Sequence, residues 1–392
     1  MSTGTDTSVY VHFPWCLKRC PYCDFTTRKI DRGDVPHRAY ADAIMRELEA
    51  RGEGLGERRL TSVFFGGGTP SLWDAGELGR VLRGIRGAFG SPERRGGQSV
   101  DPEVEVTVEC NPSSLDEAHA AALVEAGVNR LSVGVQSFDD ERLRFLGRFH
   151  DSAGAVKALE CALKDAPRVS ADLMFGTVNQ DTVDDDLSRV LDLGIEHVSA
   201  YALTIEPGTQ FGELHRKGRL QVASEEDYAS MFRAAGERFS AAGWGHYEVS
   251  NYAVPGEESR HNQHYWRGGA YLGLGAAAVG CLDDGVGRAR RWKNEGIGED
   301  YIAGSQDGRF EAESEDLDGE MIVREAIMLG LRTAEGVDLH RTAARSGVDP
   351  RAGRGDAITR RVARGDLIDD GDRLRVPRER WILLDGIIAD LF

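Results

Sequence analysis

The chain has 392 residues, of which 41% are hydrophobic and 29% charged, enough for one barrel-sized domain with a sizeable core plus a smaller appendage, and not the make-up of a generally disordered chain. Its formal net charge of −17 disfavours a protein that wraps nucleic acid or lies on an anionic membrane surface. No apolar run approaches the ~18 residues of a membrane span, and the chain reaches Lys18 and Arg19 without an apolar leader core. The expectation is a cytoplasmic protein with no nucleic-acid partner and no integral membrane segment.

In chain order, short β-branched or aromatic runs alternate with stretches of helical periodicity. Strands are predicted at 8–13, 62–65, 103–109, 130–135, 169–174 and 197–202, and helices at 40–51, 75–89, 115–126, 153–166 and 183–193. Such alternation implies parallel strands joined by right-handed crossovers, hence an α/β fold with a partial (β/α)6 TIM-like barrel. The stretch 91–102, rich in Gly, Arg and Pro, reads as a surface loop. After Gly243 the pattern is irregular, and from Gly319 a smaller helix-rich C-terminal module begins, its first helix at 321–331. We divide the chain into a barrel core (1–240), a core extension (241–318) and a C-terminal domain (319–392).

In such barrels chemistry gathers at the C-terminal ends of the strands. Directly after the first strand, CLKRCPYC spaces Cys16, Cys20 and Cys23 as C-x3-C-x2-C. Thiolates are the usual ligands of iron–sulfur clusters, and three of them for four irons leave one iron open to a chelating ligand. Zinc ordinarily takes four protein ligands, and the nearest histidine, His12, lies on the strand. Cys110, Cys161 and Cys281 are scattered and read as small buried hydrophobes. The second strand runs into GGGTPS, where glycines let a ligand approach the backbone closely. Glu109, Gln136 and Asp172 at later strand ends, with Arg148 following, are candidate ligand contacts.

The three-cysteine motif, with Tyr22 before the last cysteine, resembles the radical S-adenosylmethionine (SAM) superfamily. Across most of the chain, YVHFPWCLKRCPYCDF, FFGGGTPS, VECNPSSL, NRLSVGVQSF, SADLMFG, VSAYALTIEPGT, YEVSNYA and SRHNQHYW are similar to the oxygen-independent coproporphyrinogen oxidase-like family, and within it to the heme-chaperone subgroup called HemW. The resemblance implies a [4Fe–4S] cluster on the three cysteines and SAM contacts at Tyr10, Tyr22, Gly67, Gly68, Thr69, Glu109, Gln136, Arg148, Asp172, Ala202 and Val279. It also implies an electron donor such as flavodoxin or ferredoxin. EMIVREAIMLGLRTAEGV resembles the family's C-terminal domain, winged-helix-like and expected to cover the open barrel mouth as a lid. Two departures stand out: GTVNQDT from Gly176 replaces a glycine-proline-glycine-rich turn, and Val279 stands where the family often carries histidine.

Two features separate the chaperone branch from the oxidase branch. Oxidases carry a further cysteine two residues after the third, where this chain has Phe25, and the segment 261–266 matches the H-N-x-x-Y-W pattern of the heme-binding subgroup. A histidine can ligate heme iron, and Tyr and Trp offer flat apolar faces to a porphyrin. His261, His264, Tyr265 and Trp266 are therefore candidate heme contacts, with spacing alone not deciding between the two histidines. Residues 341–380 hold eleven arginines against seven acids. A DNA-binding wing and a salt-laced solvated face both fit that composition, and the second is expected. The leading expectation is a heme-binding chaperone that carries cluster and SAM and transfers heme to an acceptor protein. Its rivals are a radical enzyme, a methyltransferase or cyclopropanase on a small aromatic or tetrapyrrole substrate, and the coproporphyrinogen III oxidase, whose activity is not expected. No catalytic side chain is assigned.

Overall fold

The computed structural model describes residues 5–90, 104–177 and 183–392. The surface loop expected at 91–102 and most of the variant turn after Gly176 lie outside the described residues. Six parallel strands follow one another across a sheet: β1 (Asp6–Phe13), β2 (Arg59–Gly67), β3 (Glu105–Cys110), β4 (Arg130–Gln136), β5 (Arg168–Phe175) and β6 (His197–Ala202). Each is followed by an outer helix: α1 (His37–Ala50), α2 (Ala75–Ala88), α3 (Glu117–Glu125), α4 (Ser152–Asp165), α5 (Val183–Asp192) and α6 (Glu225–Ala241). Asp74, Asp116 and Asp151 accept from the backbone amides of Glu77, His119 and Gly154, and so set where α2, α3 and α4 begin. For this reason α3 starts at Glu117 and not at the predicted 115.

Strand alternation divides the side chains by polarity. Val9, Val11 and Phe13, Val63 and Phe65, Val106 and Val108, and Leu131, Val133 and Val135 enter the core beneath the helices. Ser62, Glu105, Glu109, Arg130, Ser132, Asp172 and His197 occupy the intervening, inward positions. Cys110 falls on the outer, packed side, as alternation requires, and is buried.

The irregular region beyond Gly243 proves to be more sheet. β7 (Gly245–Glu248) and β8 (Asn251–Ala253) form a hairpin on β6. The short helix α7 (Arg260–Trp266) then crosses to the other side of the sheet. There β9 (Ala270–Leu274) lies parallel to β1, and β10 (Val279–Asp283), β11 (Arg288–Asn294) and β12 (Glu311–Asp318) continue as an antiparallel meander. The twelve strands run β12-β11-β10-β9-β1-β2-β3-β4-β5-β6-β8-β7, so the barrel is partial. β12, EAESEDLD, gives no apolar strand signal because it is held by charge: Arg290 pairs with Glu311, and Arg291 with Glu315.

After α8 (Gly298–Ser305) and β12, the C-terminal module comprises α9 (Gly319–Gly330), α10 (Leu339–Ser346), α11 (Gly355–Ala363) and α12 (Leu384–Ala389) with a small three-stranded sheet. Val323, Ile327, Leu374, Trp381 and Ile387 belong to its own apolar core. Seven of its arginines, among them Arg351, Arg354 and Arg361, make ion pairs, the salt-laced surface expected. Among the described residues no helix is long and apolar enough to cross a membrane.

The carboxylate of Glu47, fully buried on α1, ties the added strands to the barrel. It accepts from Arg51 Nε (2.8 Å), Asn294 Nδ2 (2.8 Å), the Gly275 amide (2.9 Å) and the Tyr301 hydroxyl (2.6 Å). Its removal strands four donors in a dry site. We expect Glu47→Ala to cost about 3–5 kcal/mol in urea unfolding, with Glu47→Gln less damaging. A loss below about 1 kcal/mol would show that the hub is dispensable.

Candidate functional site

The cysteine loop is fixed at both ends by backbone bonds. Arg28 donates its amide to Pro14 O (2.8 Å) and Ile30 to Cys16 O (2.9 Å), which closes residues 16–28 into a loop over the end of β1. Within it Cys23 N donates to Cys20 O at 3.1 Å. All three thiols are free and partly exposed, and all line one cleft of about 410 Å³ at the C-terminal ends of the strands. Burial raises the Cys16 thiol to about 11 and raises Cys23 as well. Arg148 brings Nη1 to 3.6 Å from Cys20 Sγ and 3.4 Å from the Tyr22 hydroxyl, while Nη2 donates to Gly134 O at 2.7 Å. Among the described residues no three His, Cys, Asp or Glu side chains converge closely enough to hold a single metal ion. Three soft sulfur donors around one rim, beside a guanidinium that offsets thiolate charge, fit the needs of an iron–sulfur cluster.

Facing this loop is the turn after β2. Gly68 donates to Phe13 O (2.7 Å) and Thr69 to Trp15 O (2.9 Å). A Cβ on Gly68 would stand 2.6 and 2.7 Å from the Trp15 and Phe13 carbonyl oxygens, and one on Gly67, whose φ is +104°, would strike the His12 ring. Glycine is obligatory here because two chain segments touch. The Gly67 amide donates to Glu109 Oε2 at 3.1 Å. Burial first, and the nearby Asp172 carboxylate second, push Glu109 up to about 8. Burial also raises Asp172, which accepts from Ser132 Oγ at 3.1 Å. Gln136, at the end of β4, has φ +69°, an unusual conformation for a residue with a Cβ, and it too lines the cleft.

Of the eleven residues carried over as SAM contacts, the cleft brings together Tyr22, Gly67, Gly68, Thr69, Glu109, Gln136, Arg148, Asp172 and Ala202. Tyr10 lies behind the lining, its hydroxyl 3.0 Å from His12 Nδ1, whose Nε2 reaches Thr26 O at 3.2 Å. Val279 is not brought to the cleft; it sits on β10 opposite Lys293. Sequence reading missed Arg130, Ser132, Ser199 and Tyr201, which also line it. They sit on the same strands as the residues found, at inward positions that the two-residue period marks.

The H-N-x-x-Y-W segment is α7, and its side chains diverge. His261 points into the barrel, stacked on Phe64 (4.9 Å) with Nδ1 2.9 Å from Ser62 Oγ. Its amide and that of Arg260 donate to Glu105, which Arg168 also holds at 2.6 Å. Asn262 reaches the main cleft, whereas His264 lines a groove on the far side of α7 and Trp266 a further one. Tyr265 packs between Trp266 and Tyr271. The four candidate heme contacts therefore do not form one pocket, and the helix closes the barrel's lower end. No described residue of 319–392 lines the cleft. The module is instead anchored to the β7–β8 hairpin by Val249 N to Arg332 O (3.0 Å) and Ala334 N to Tyr247 O (3.0 Å), and by packing of Phe232 and Val249 against its core.

Residues 10–190 match the radical SAM superfamily, and residues 317–383 match the HemN C-terminal domain. A heme chaperone HemW of Mycobacterium tuberculosis is 34% identical over 394 residues, covering 99% of this chain and 95% of that one. The chain belongs to the HemW family of radical SAM proteins. The HemW of Haemophilus influenzae is likewise 34% identical, over 76% of each chain. The Escherichia coli radical SAM enzyme coproporphyrinogen III oxidase (HemN) shares the fold, with a TM-score of 0.79 at 19% identity over 99% of this chain and 90% of its own.

The raised carboxyl of Glu109 sets a pH dependence for the protein without cofactors. Its folded value, about 8, lies above its ordinary value of 4.5, so the folded state binds the extra proton. The resulting stabilisation is complete below pH 4.5 and is lost as pH rises through about 8. Urea unfolding from pH 5 to 9 is expected to show wild-type stability falling relative to Glu109→Gln; parallel profiles would refute the assignment.

Proposed function

We propose that this protein is a heme chaperone that carries a [4Fe–4S] cluster on Cys16, Cys20 and Cys23, binds SAM in the adjoining cleft, and passes heme to an acceptor protein. The observation that carries the reading is the three-thiol loop set against a glycine turn that only a closely approached backbone explains, in a chain whose relatives bear the name heme chaperone. Phe25, 54% exposed at the rim, occupies the place where the oxidase branch has its further cysteine.

A bound cluster would supply single electrons to the SAM sulfonium. The protein's part is to bind and orient. The 67–69 backbone and Glu109 offer contacts to the amino-acid end of SAM, Glu109 as the acceptor for its ammonium once deprotonated. Asp172, Gln136 and Arg148 supply the polar wall opposite, and Arg148 also balances the charge of Cys20. Reduction requires a donor such as flavodoxin or ferredoxin, and Lys18 and Arg19 at the rim present positive charge to an acidic protein of that kind. A reducing compartment, the cytoplasm, suits the free thiols.

Titration of the anaerobically reconstituted protein with heme tests the function. We expect a shifted Soret band saturating at one heme per chain; no shift at stoichiometric heme sinks the proposal. Alanine at Cys16, Cys20 or Cys23 should abolish the iron–sulfur absorbance. Incubation with coproporphyrinogen III, reductant and SAM should yield no protoporphyrinogen, and clear turnover would restore the oxidase reading.

A further inference from the structure

β4 ends irregularly, at a residue that lines the cleft. Val133 lies opposite Ala171 of β5 and Gln136 opposite Leu173, so three steps along β4 match two along β5. The bulge carries Gln136 into the left-handed region, with φ +69°. A residue with a Cβ stays in that region only where its surroundings hold it there. The Gln136 side chain folds back over Gly134, where a Cβ would stand 3.0 Å from its Nε2, and its carboxamide has no hydrogen-bond partner among the described residues. It is a donor and an acceptor left free beside the cleft.

Two side-chain clamps fix this turn. Downstream, the buried Asp186 carboxylate accepts from the Phe138 amide (2.7 Å) and Ser137 Oγ (3.2 Å), and is itself paired with Arg142 (2.7 Å). Upstream, Arg148 Nη2 donates to Gly134 O (2.7 Å) and His150 Nε2–H to Val135 O (3.0 Å). The Val135 carbonyl belongs to the planar peptide that enters Gln136, so holding that oxygen holds the plane from which φ of Gln136 is set. Arg148 also serves Cys20 and Tyr22. His150 has this one bond: its Nδ1 is buried without a partner, and burial, then the Arg148 charge, lowers its pKa to about 4, which keeps the ring neutral. Its ring does not line the cleft. The segment that carries it is braced on the cysteine loop, since a Cβ on Gly147 would stand 2.7 Å from Pro21 Cδ.

We propose that His150 is a positioning residue, which holds the peptide entering Gln136 and thereby aims the Gln136 carboxamide at SAM in the cleft. The inference rests on the SAM reading above and deepens it by naming what keeps one contact in place. A ring that only filled space would pack through carbon. The Nε2 bond is directional, and it ends on the carbonyl that sets the turn. A half-satisfied imidazole in a dry position adds little stability of its own, because the unpaired Nδ1 offsets the bond that Nε2 makes.

The test is equilibrium dialysis of SAM against the anaerobically cluster-loaded full chain, with acid-labile sulfide measured on each sample. The proteins are the wild type, His150→Gln, His150→Asn, Gln136→Ala, and His150→Asn combined with Gln136→Ala. A glutamine amide reaches the place of Nε2, an asparagine amide only that of Nδ1. His150→Gln should therefore keep the wild-type affinity. His150→Asn and Gln136→Ala should each weaken SAM about tenfold, the effect of one hydrogen bond, at wild-type sulfide content. The combined variant should bind no more weakly than Gln136→Ala alone, because His150 acts through Gln136. Wild-type affinity in His150→Asn, equal losses in His150→Gln and His150→Asn, losses that multiply in the combined variant, or loss of sulfide in His150→Asn would overturn the proposal while leaving the SAM reading intact. No SAM binding in the wild type overturns both.

Discussion

Polar groups at inward positions of the six central strands need partners inside the barrel, and much of the molecule is organised around meeting that demand, although the Ser8 and Thr107 hydroxyls are buried without one. A buried polar group without a hydrogen bond is costly, and the cost grows as the surroundings lose water. At the lower end Glu105 is answered by Arg168 and by two amides of α7. Arg130 and Ser170 approach Nδ1 of His197, leaving Nε2–H for the Tyr247 hydroxyl. Burial, then Arg130 and Arg168, hold His197 well below its ordinary pKa, so it serves this network as a neutral ring. At the upper end Glu109 and Asp172 have fewer partners, are pushed toward their protonated forms, and face open space. One end is a satisfied plug and the other an unsatisfied cleft. That difference locates the site.

The short helix α7 is the partition between them. Glu105 holds its first turn, His261 fills the barrel beneath Phe64, and its remaining side chains reach both the cleft and the groove below. A change in what occupies either face therefore bears on the same seven residues.

Much of this was legible in the sequence. The six strands could be read because their outer residues are β-branched or aromatic, and the cysteine and glycine turns because their residue types have few alternative uses. Glu109, Gln136 and Asp172 stood out as polar groups at strand ends. Arg130, Ser199 and Tyr201 did not, since one residue every second position is a weak mark without the neighbouring strands in view. β12 was invisible because its pairing relies on arginines twenty residues earlier, not on apolar alternation. The contacts of the C-terminal module were not legible for a related reason. Its contacts are backbone bonds to the β7–β8 hairpin and packing against Phe232 and Val249, and nothing in residues 319–392 alone encodes where those partners lie. The divergence of α7 also needed the fold, because a helix seen alone does not say which of its faces meets which wall.

The central claim is that one chain holds an iron–sulfur cluster and a heme at the same time. It is tested most directly by assaying acid-labile sulfide and Soret absorbance on the same anaerobic sample as heme is added. The account expects the sulfide of a [4Fe–4S] cluster to persist undiminished while the Soret signal rises to saturation. Loss of sulfide in proportion to heme bound would contradict it, because the two groups would then be competing for the same cysteines.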